Sequence, residues 1–245
     1  MVDRIITAAD LDSEDRAVEI GPGRGALTES LLDKCAKLLV CEVDSELIQY
    51  WQDRNLDGLE VVAGDVLELD WEKLFTEPPY TLVSNLPYNI STPILFKLME
   101  HRRLFRRLVL MFQREVAERL LAEPGNKDYG ILTVLCQVWY DISKVTLVRP
   151  GAFFPPPRVE SMVLVFEPLH QPRVAIGDGD VFRRVVKAAF AQRRKALRNT
   201  LCSGGWERPV VEEALASASI DQGRRAETLS LEEFAHLAQA LGARV

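Results

Sequence analysis

The 245-residue chain has no apolar run approaching the roughly 18 residues that a membrane-spanning helix needs, and its first residues carry no signal-peptide pattern. Neither a membrane nor a secreted protein is expected, and the reading is cytoplasmic. Cysteine is scarce. Cys35, Cys41, Cys136 and Cys202 are scattered through apolar stretches or a helix end without CxxC spacing. This argues for reduced, mostly buried thiols and against disulfides or a thiolate metal site. The three histidines, His101, His170 and His236, lie far apart among polar neighbours, so no metal is expected. What remains is ordinary for a globular protein: 47% hydrophobic and 27% charged residues. The length suits one large domain, or a domain with a small appendage.

Another scarcity is local. From Phe182 to Arg198 there is no acidic residue, while Arg183, Arg184, Lys187, Arg193, Arg194, Lys195 and Arg198 all fall there. The net charge of −6 hides a gradient: residues 1–100 carry 20 acidic and 8 basic side chains, and residues 101–245 carry 16 and 22. A solvated helix face normally mixes both signs. A polyanion senses charge within a Debye length of about 8–10 Å, so an acidic protein with such a patch can still bind nucleic acid. These seven residues are the expected RNA-binding set.

Strand-like and helix-like segments alternate over the first two-thirds of the chain. Strands are expected at 16–20, 38–43, 59–63, 80–84 and 108–112, with helices at 26–35 and 45–54, the latter capped by Ser45. This alternation predicts an α/β fold with a doubly wound parallel sheet. A buried helix follows over 130–140. Then come two alternating segments, 142–148 and 161–166, joined by a Pro-rich stretch, which form an antiparallel edge. Polar and Pro/Gly residues near 168–180 mark a linker, and only helical patterns follow, over 181–201, 209–218 and 231–241. The last is opened by Ser230 with Glu233 three residues on, a capping box. The expected division is a Rossmann-like domain over 1–170 and a small all-helical domain over 176–245.

Glu19-Ile20-Gly21-Pro22-Gly23-Arg24-Gly25 sits where the first strand turns into a helix. Glycines there let backbone approach a ligand closely, and the helix start offers free N–H donors. The residues also satisfy G-x-G-x-x-A through Ala26, so a nicotinamide dinucleotide site stays open, and Glu42 suits ribose hydroxyls in either case. Two features favour a methyl-donor site. The glycines spaced two apart resemble the S-adenosylmethionine turn, and Gly64-Asp65 ends the third strand, where Asp65 can accept from an adenine amino group while Val66 packs on the ring. Gly21-x-Gly23, Glu42, Asp65 and Asn85 would then lie along one carboxyl edge of the sheet.

Asn85-Leu86-Pro87-Tyr88 leaves the fourth strand and precedes a helix opening at Ser91-Thr92-Pro93. An ordinary turn would also use Asn and Pro. The pattern nevertheless matches what amino-group methyltransferases place beside the methyl donor. The lone pair of a ring-conjugated amine is a poor nucleophile. An Asn side-chain oxygen and a neighbouring carbonyl can accept both amine hydrogens and favour a tetrahedral nitrogen. Pro87 fixes one dihedral, and Tyr88 offers a face to an extruded base.

Together these segments resemble the bacterial small-subunit (16S) rRNA adenine N6,N6-dimethyltransferases, the kasugamycin-resistance family. The resemblance rests on EIGPGRGALTE, GDVL, SNLPYNISTPIL, AFFPPPRVESMV, AFAQRRKALRNTL and AETLSLEEFAHLA, in the family's order. The large-subunit (23S) methyltransferases of macrolide resistance share the cofactor motifs but look less similar near QRRKALRNTL. A non-catalytic, RNA-binding ribosome-assembly factor is the rival of another class. The resemblance implies S-adenosylmethionine as methyl donor and two adjacent adenosines of the 3′-terminal hairpin loop of 16S rRNA as substrate. The partner is the small subunit or its precursor, and the protein acts as a monomer. It implies a cofactor set of Glu19, Gly21, Gly23, Gly25, Glu42, Val43, Asp65, Val66 and Asn85. It also implies a base-handling set of Asn85, Leu86, Pro87, Tyr88 and Phe153, with Phe154 able to exchange roles with Phe153. Family members usually begin further upstream, with a basic segment and a Gln-Asn-Phe-Leu-like motif over the cofactor's methionine end. Met1 falls in the helix after it, so weak cofactor retention is expected of this chain.

Overall fold

A computed structural model describes residues 1–87, 89–153 and 155–243. The chain divides into two compact units, Met1–Ala117 with Tyr140–Pro168, and Glu118–Trp139 with Leu169–Val245.

The first unit is built on seven strands: β1 (Arg16–Ile20), β2 (Lys37–Glu42), β3 (Leu59–Ala63), β4 (Tyr80–Asn85), β5 (Phe105–Gln113), β6 (Tyr140–Val148) and β7 (Ser161–Pro168). Their order is β3-β2-β1-β4-β5-β7-β6, with the first five parallel and β7 antiparallel to both β5 and β6. The expected parallel sheet with an antiparallel edge is what forms. Its inner strands are near-continuous apolar runs because both faces are covered. Ala17, Leu38, Val40, Val83, Val109 and Met111 pack with Ile5 and Ala9 of helix α1 (Val2–Ala9), and with Leu27 and Leu31 at helix α2 (Thr28–Leu32). Their alternates Val18, Leu39, Leu82, Leu108 and Leu110 are equally buried and face the other way. Helices α3 (Ser45–Arg54), α4 (Trp71–Leu74) and α5 (Ser91–Glu100) complete the crossovers. Trp71, Phe75 and Phe105 meet edge to face, with ring centroids 5.5–5.7 Å apart.

Two local expectations are corrected. Helix α2 is shorter than the expected 26–35. Gly25 has φ +94°, so helical geometry begins only at Thr28, and a Lys34 N–H to Leu31 carbonyl bond tightens its end. Helix α3 is capped by Asp44, not Ser45: the Asp44 carboxylate accepts from the N–H groups of Glu46 and Leu47.

The second unit holds α6 (Arg114–Leu120) in part, then α7 (Ile131–Trp139), α8 (Gly179–Phe190), α9 (Leu197–Ser203), α10 (Arg208–Ser217) and α11 (Leu231–Gly242). The expected boundary at residue 170 is therefore incomplete, because Glu118–Trp139 belongs with the helices. The physical reason is direct. Tyr129 meets the Phe190 ring at 6.1 Å, Gly125 N–H donates to the Glu227 carbonyl, and Leu169 and Arg173 N–H groups bond carbonyls of α7. The expected single helix over 181–201 is two. Apolar spacing continues through Phe190, Leu197 and Leu201, but Leu197 N–H donates to the Arg224 carbonyl at 2.8 Å instead of the carbonyl four residues back. Helix α11 carries the expected capping box between Ser230 and Glu233.

All four cysteines are free thiols, and burial pushes Cys41 and Cys136 up to about 12. Among the described residues no helix is long and apolar enough to cross a membrane.

Candidate active site at the carboxyl edge of the sheet

The carboxyl ends of β1 and β4 carry the two loops that frame a cavity of about 680 Å³. After β1 the chain turns through Gly21, Gly23 and Gly25 with φ of +66°, +55° and +94°, values that side-chain-bearing residues rarely adopt. After β4 it runs through Asn85, Leu86 and Pro87. The loops touch: a Cβ added at Gly21 would lie 3.7 Å from Pro87 Cδ. The Ser84 hydroxyl donates to the Ile20 carbonyl at 2.6 Å, fixing one strand end against the other.

Glu19, Gly21, Gly23, Gly25, Asn85, Leu86, Pro87 and Phe153 of the sequence-derived sets all line this cavity. Asn85, an exposed residue beside Met111 of β5, is held by strand pairing, while Leu86 is buried. Phe153 is half-buried against the apolar core, and its N–H donates to the Pro150 carbonyl. Tyr88 and Phe154 lie outside the described residues.

Glu42, Val43, Asp65 and Val66 do not line the cavity; they sit further along the same edge, at the ends of β2 and β3. Glu42 is 7% exposed, and its Oε1 accepts from the N–H groups of Val43 (2.8 Å) and Asp44 (3.1 Å). These bonds hold one carboxylate oxygen while Oε2 makes no hydrogen bond among the described residues. Val43 beside it is 69% exposed. Asp65 is exposed and caps its own turn through the Leu67 N–H, as the ordinary turn reading of that residue anticipates. Val66 is buried, and its carbonyl accepts from the Trp71 indole.

Ile5, Met111, Ala152, Pro155 and Pro157 also line the cavity and were not singled out from the sequence. Met111 was findable: it is the last residue of β5 paired with β4, opposite Asn85. Ile5 was not, since its position depends on how α1 docks.

Glu19 is a buried acid on the cavity wall, 3% exposed, accepting from the Thr28 hydroxyl at 2.7 Å. Burial pushes its carboxyl from 4.5 to about 7; the Thr28 bond opposes this, and the charge of Glu42 adds to it. Below the ordinary value the carboxyl is protonated in folded and unfolded chains alike. Between 4.5 and about 7 the unfolded chain ionises first, so stability falls as pH rises. Above that range the cost is fully present. Glu19→Gln cannot ionise and should exceed the parent in stability above pH 7 by about 1–3 kcal/mol, losing most of that gain near pH 5. Urea unfolding at both pH values measures it, and parallel pH dependences of parent and variant would place the ionisation elsewhere.

Of the seven expected RNA-binding residues, Arg184, Lys187, Arg193, Arg194 and Lys195 are exposed, and Arg183 and Arg198 are half-buried. Arg184 stacks over Trp206, its guanidinium carbon 4.2 Å from the ring centroid. Arg198 reaches Gln222 and Glu212, at 3.2 and 3.5 Å. Arg193 donates to the carbonyls of Lys127 and Tyr129, pinning the turn between α8 and α9. Arg194 and Lys195, on the same turn, are exposed, as is Lys187 on α8. Arg183 is half-buried on α8.

The family model described as "Ribosomal RNA adenine dimethylase" matches residues 1–242. A Ribosomal RNA small subunit methyltransferase A of Syntrophotalea carbinolica is 60% identical over 241 residues, covering 98% of this chain and 91% of its own length. Its counterpart in Geobacter metallireducens is 48% identical over 245 residues, covering 97% and 89%. Among solved structures, a dimethyladenosine transferase from Plasmodium falciparum aligns with TM-score 0.82 at 29% identity, over 96% of this chain and 93% of its own. A 23S rRNA methyltransferase, ErmE, shares the fold with TM-score 0.70 at 24% identity, over 98% and 96%.

Proposed function

Because the chain belongs to the ribosomal RNA adenine dimethylase family, and so is an rRNA adenine methyltransferase, we propose that its substrate is a pair of adjacent adenosines in 16S rRNA. The methyl donor is S-adenosylmethionine, the target atom is N6, and each adenosine receives two methyl groups. The 3′-terminal hairpin loop, in the small subunit or its precursor, is the site. The protein acts in the cytoplasm as a monomer.

The observation that carries this reading is the Asn85-Leu86-Pro87 loop facing the glycine turn across one cavity, with Phe153 on its wall. The glycine turn fits the donor by its own geometry: Gly23 has φ +55° and open space where a Cβ would project, so backbone can lie against a ligand. Glu42, with Oε1 tied down by two backbone N–H groups and Oε2 without a hydrogen bond among the described residues, suits two ribose hydroxyls. Exposed Val43 offers apolar surface to an adenine ring, and Asp65 takes its amino group. S-adenosylmethionine supplies an electrophilic methyl group on a sulfonium.

The protein's task is then alignment and polarisation. The Asn85 side-chain oxygen and the following backbone accept the two N6 hydrogens, drawing the lone pair out of conjugation with the ring. Phe153 and Tyr88 hold the extruded base between them; such stacking is worth about 1–3 kcal/mol per base. No strong general base is required, since the nitrogen becomes acidic once it carries the new methyl group.

The test is transfer of label from S-adenosylmethionine to unmethylated small subunits, followed by nucleoside analysis. Labelled N6,N6-dimethyladenosine in 16S rRNA is expected. Label confined to large-subunit RNA would move the substrate to 23S rRNA, and RNA retention without label would leave a binding factor.

A further inference from the structure

One buried side chain against the glycine turn has no part in the account above. Trp51 of α3 is 1% exposed, and it controls the turn at two points. Its indole N–H donates to the Gly23 carbonyl at 2.9 Å. Its six-membered ring occupies the space beside Gly25: a Cβ there would come within 2.7 Å of Cη2 and 3.0 Å of Cζ2. The ring is held in turn by Arg54, whose guanidinium carbon lies 5.1 Å from its centroid and which pairs with Glu29 of α2 at 2.6 Å. Helices α2 and α3 thus clamp the indole that clamps the turn.

Peptide geometry gives this contact a direction. A trans peptide sets its N–H opposite its C=O. With the Gly23 carbonyl turned to the indole, the Arg24 N–H in the same peptide unit points away from it. Gly23 and Arg24 line the cavity, and Trp51 does not.

We propose that Trp51 is a positioning residue for the methyl donor, holding the Gly23–Arg24 peptide so that the Arg24 N–H serves the donor's carboxylate. This rests on the reading of the cavity as a methyl-donor site. Trp51 touches neither RNA nor the reacting nitrogen, so its effect falls on donor binding alone.

Trp51→Phe keeps most of the ring and removes the N–H. Steady-state methylation should show the KM for S-adenosylmethionine raised at least about fivefold, the loss of one hydrogen bond. The kcat at saturating donor and the KM for RNA should stay within about twofold. A lower melting temperature with an unchanged donor KM would make Trp51 a core residue only and overturn the proposal. Arg54→Ala, a surface change that frees the indole, is measured alongside and decides the matter if Trp51→Phe does not fold. A raised donor KM supports the clamp, and an unchanged one overturns it. Calorimetry on the unaltered protein, at donor concentrations high enough to register weak binding, separates the two readings: no binding of S-adenosylmethionine even there sinks the cavity assignment itself, whereas equal binding by parent and Trp51→Phe sinks only the clamp.

Discussion

Replacing Asn85 with alanine should lower single-turnover methylation by about 10²–10³-fold while changing the affinity for S-adenosylmethionine by less than about tenfold. The asymmetry follows from where Asn85 sits. It ends β4, paired with Met111 of β5, and lines the cavity that the glycine turn closes from the other side. On the proposed reading, removing its amide would take an acceptor from the reacting amine, whose lone pair would then stay in the ring, while donor recognition would keep the glycine turn, Glu42 and Asp65. The backbone should not collapse, because the Ser84 hydroxyl and the Ile20 carbonyl still fix the strand end and Leu86 remains buried. Rapid-quench methylation together with calorimetry separates the two quantities. A fall in donor affinity as large as the fall in rate would make Asn85 a donor-binding residue only.

The second large effect is expected in the helical unit. Neutralising Arg193, Arg194 and Lys195 together should weaken RNA binding about 10²-fold at 0.1 M salt and reduce the slope of log affinity against log salt by up to about three. Each phosphate contact accounts for about 0.7–0.9 of that slope. Arg194 and Lys195 are exposed and should carry it, whereas Arg193 is engaged with the carbonyls of Lys127 and Tyr129. The pair Arg194 and Lys195 alone should therefore give most of the change. Binding titrations across a salt series provide the slope, and donor affinity serves as the control. An unaltered slope would return this turn to the status of solvated surface.

The sheet was readable because parallel strands covered on both faces are written as short apolar runs, and their ends carry residues of unlike chemistry: Gly21 and Gly23, Glu42, Asp65, Asn85. Reading those ends in order put the candidate residues on one edge, where Gly21, Gly23 and Asn85 line the cavity and Glu42 and Asp65 do not. Cavity walls were another matter. Ile5 and Ala152 reach the cavity through the docking of a helix and a turn, and nothing in their immediate neighbours announces it. Trp51 looked like any apolar position of an amphipathic helix, and its indole bond to Gly23 spans 28 residues of sequence. The run from Val181 to Leu201 kept a helical period across Gln192–Lys195, so periodicity alone could not reveal that Leu197 N–H finds Arg224 instead. The same limit applies to α7, whose apolar composition states that it is buried but not by what.

That helix has a consequence for how the protein can be taken apart or put together. The polypeptide leaves the first unit after Ala117, contributes Glu118–Trp139 to the second, returns for Tyr140–Pro168, and leaves again. No single cut yields two intact modules. A nascent chain released as far as Pro168 would already contain every strand of the sheet, yet would still carry Val134, Cys136 and Val138 without the α8 that packs on α7. The helical unit is therefore not a detachable accessory that could be swapped or lost by recombination at a linker. It is assembled from two separate stretches of the chain, with Tyr140–Pro168 of the first unit between them in sequence, so neither unit is inherited as one continuous segment.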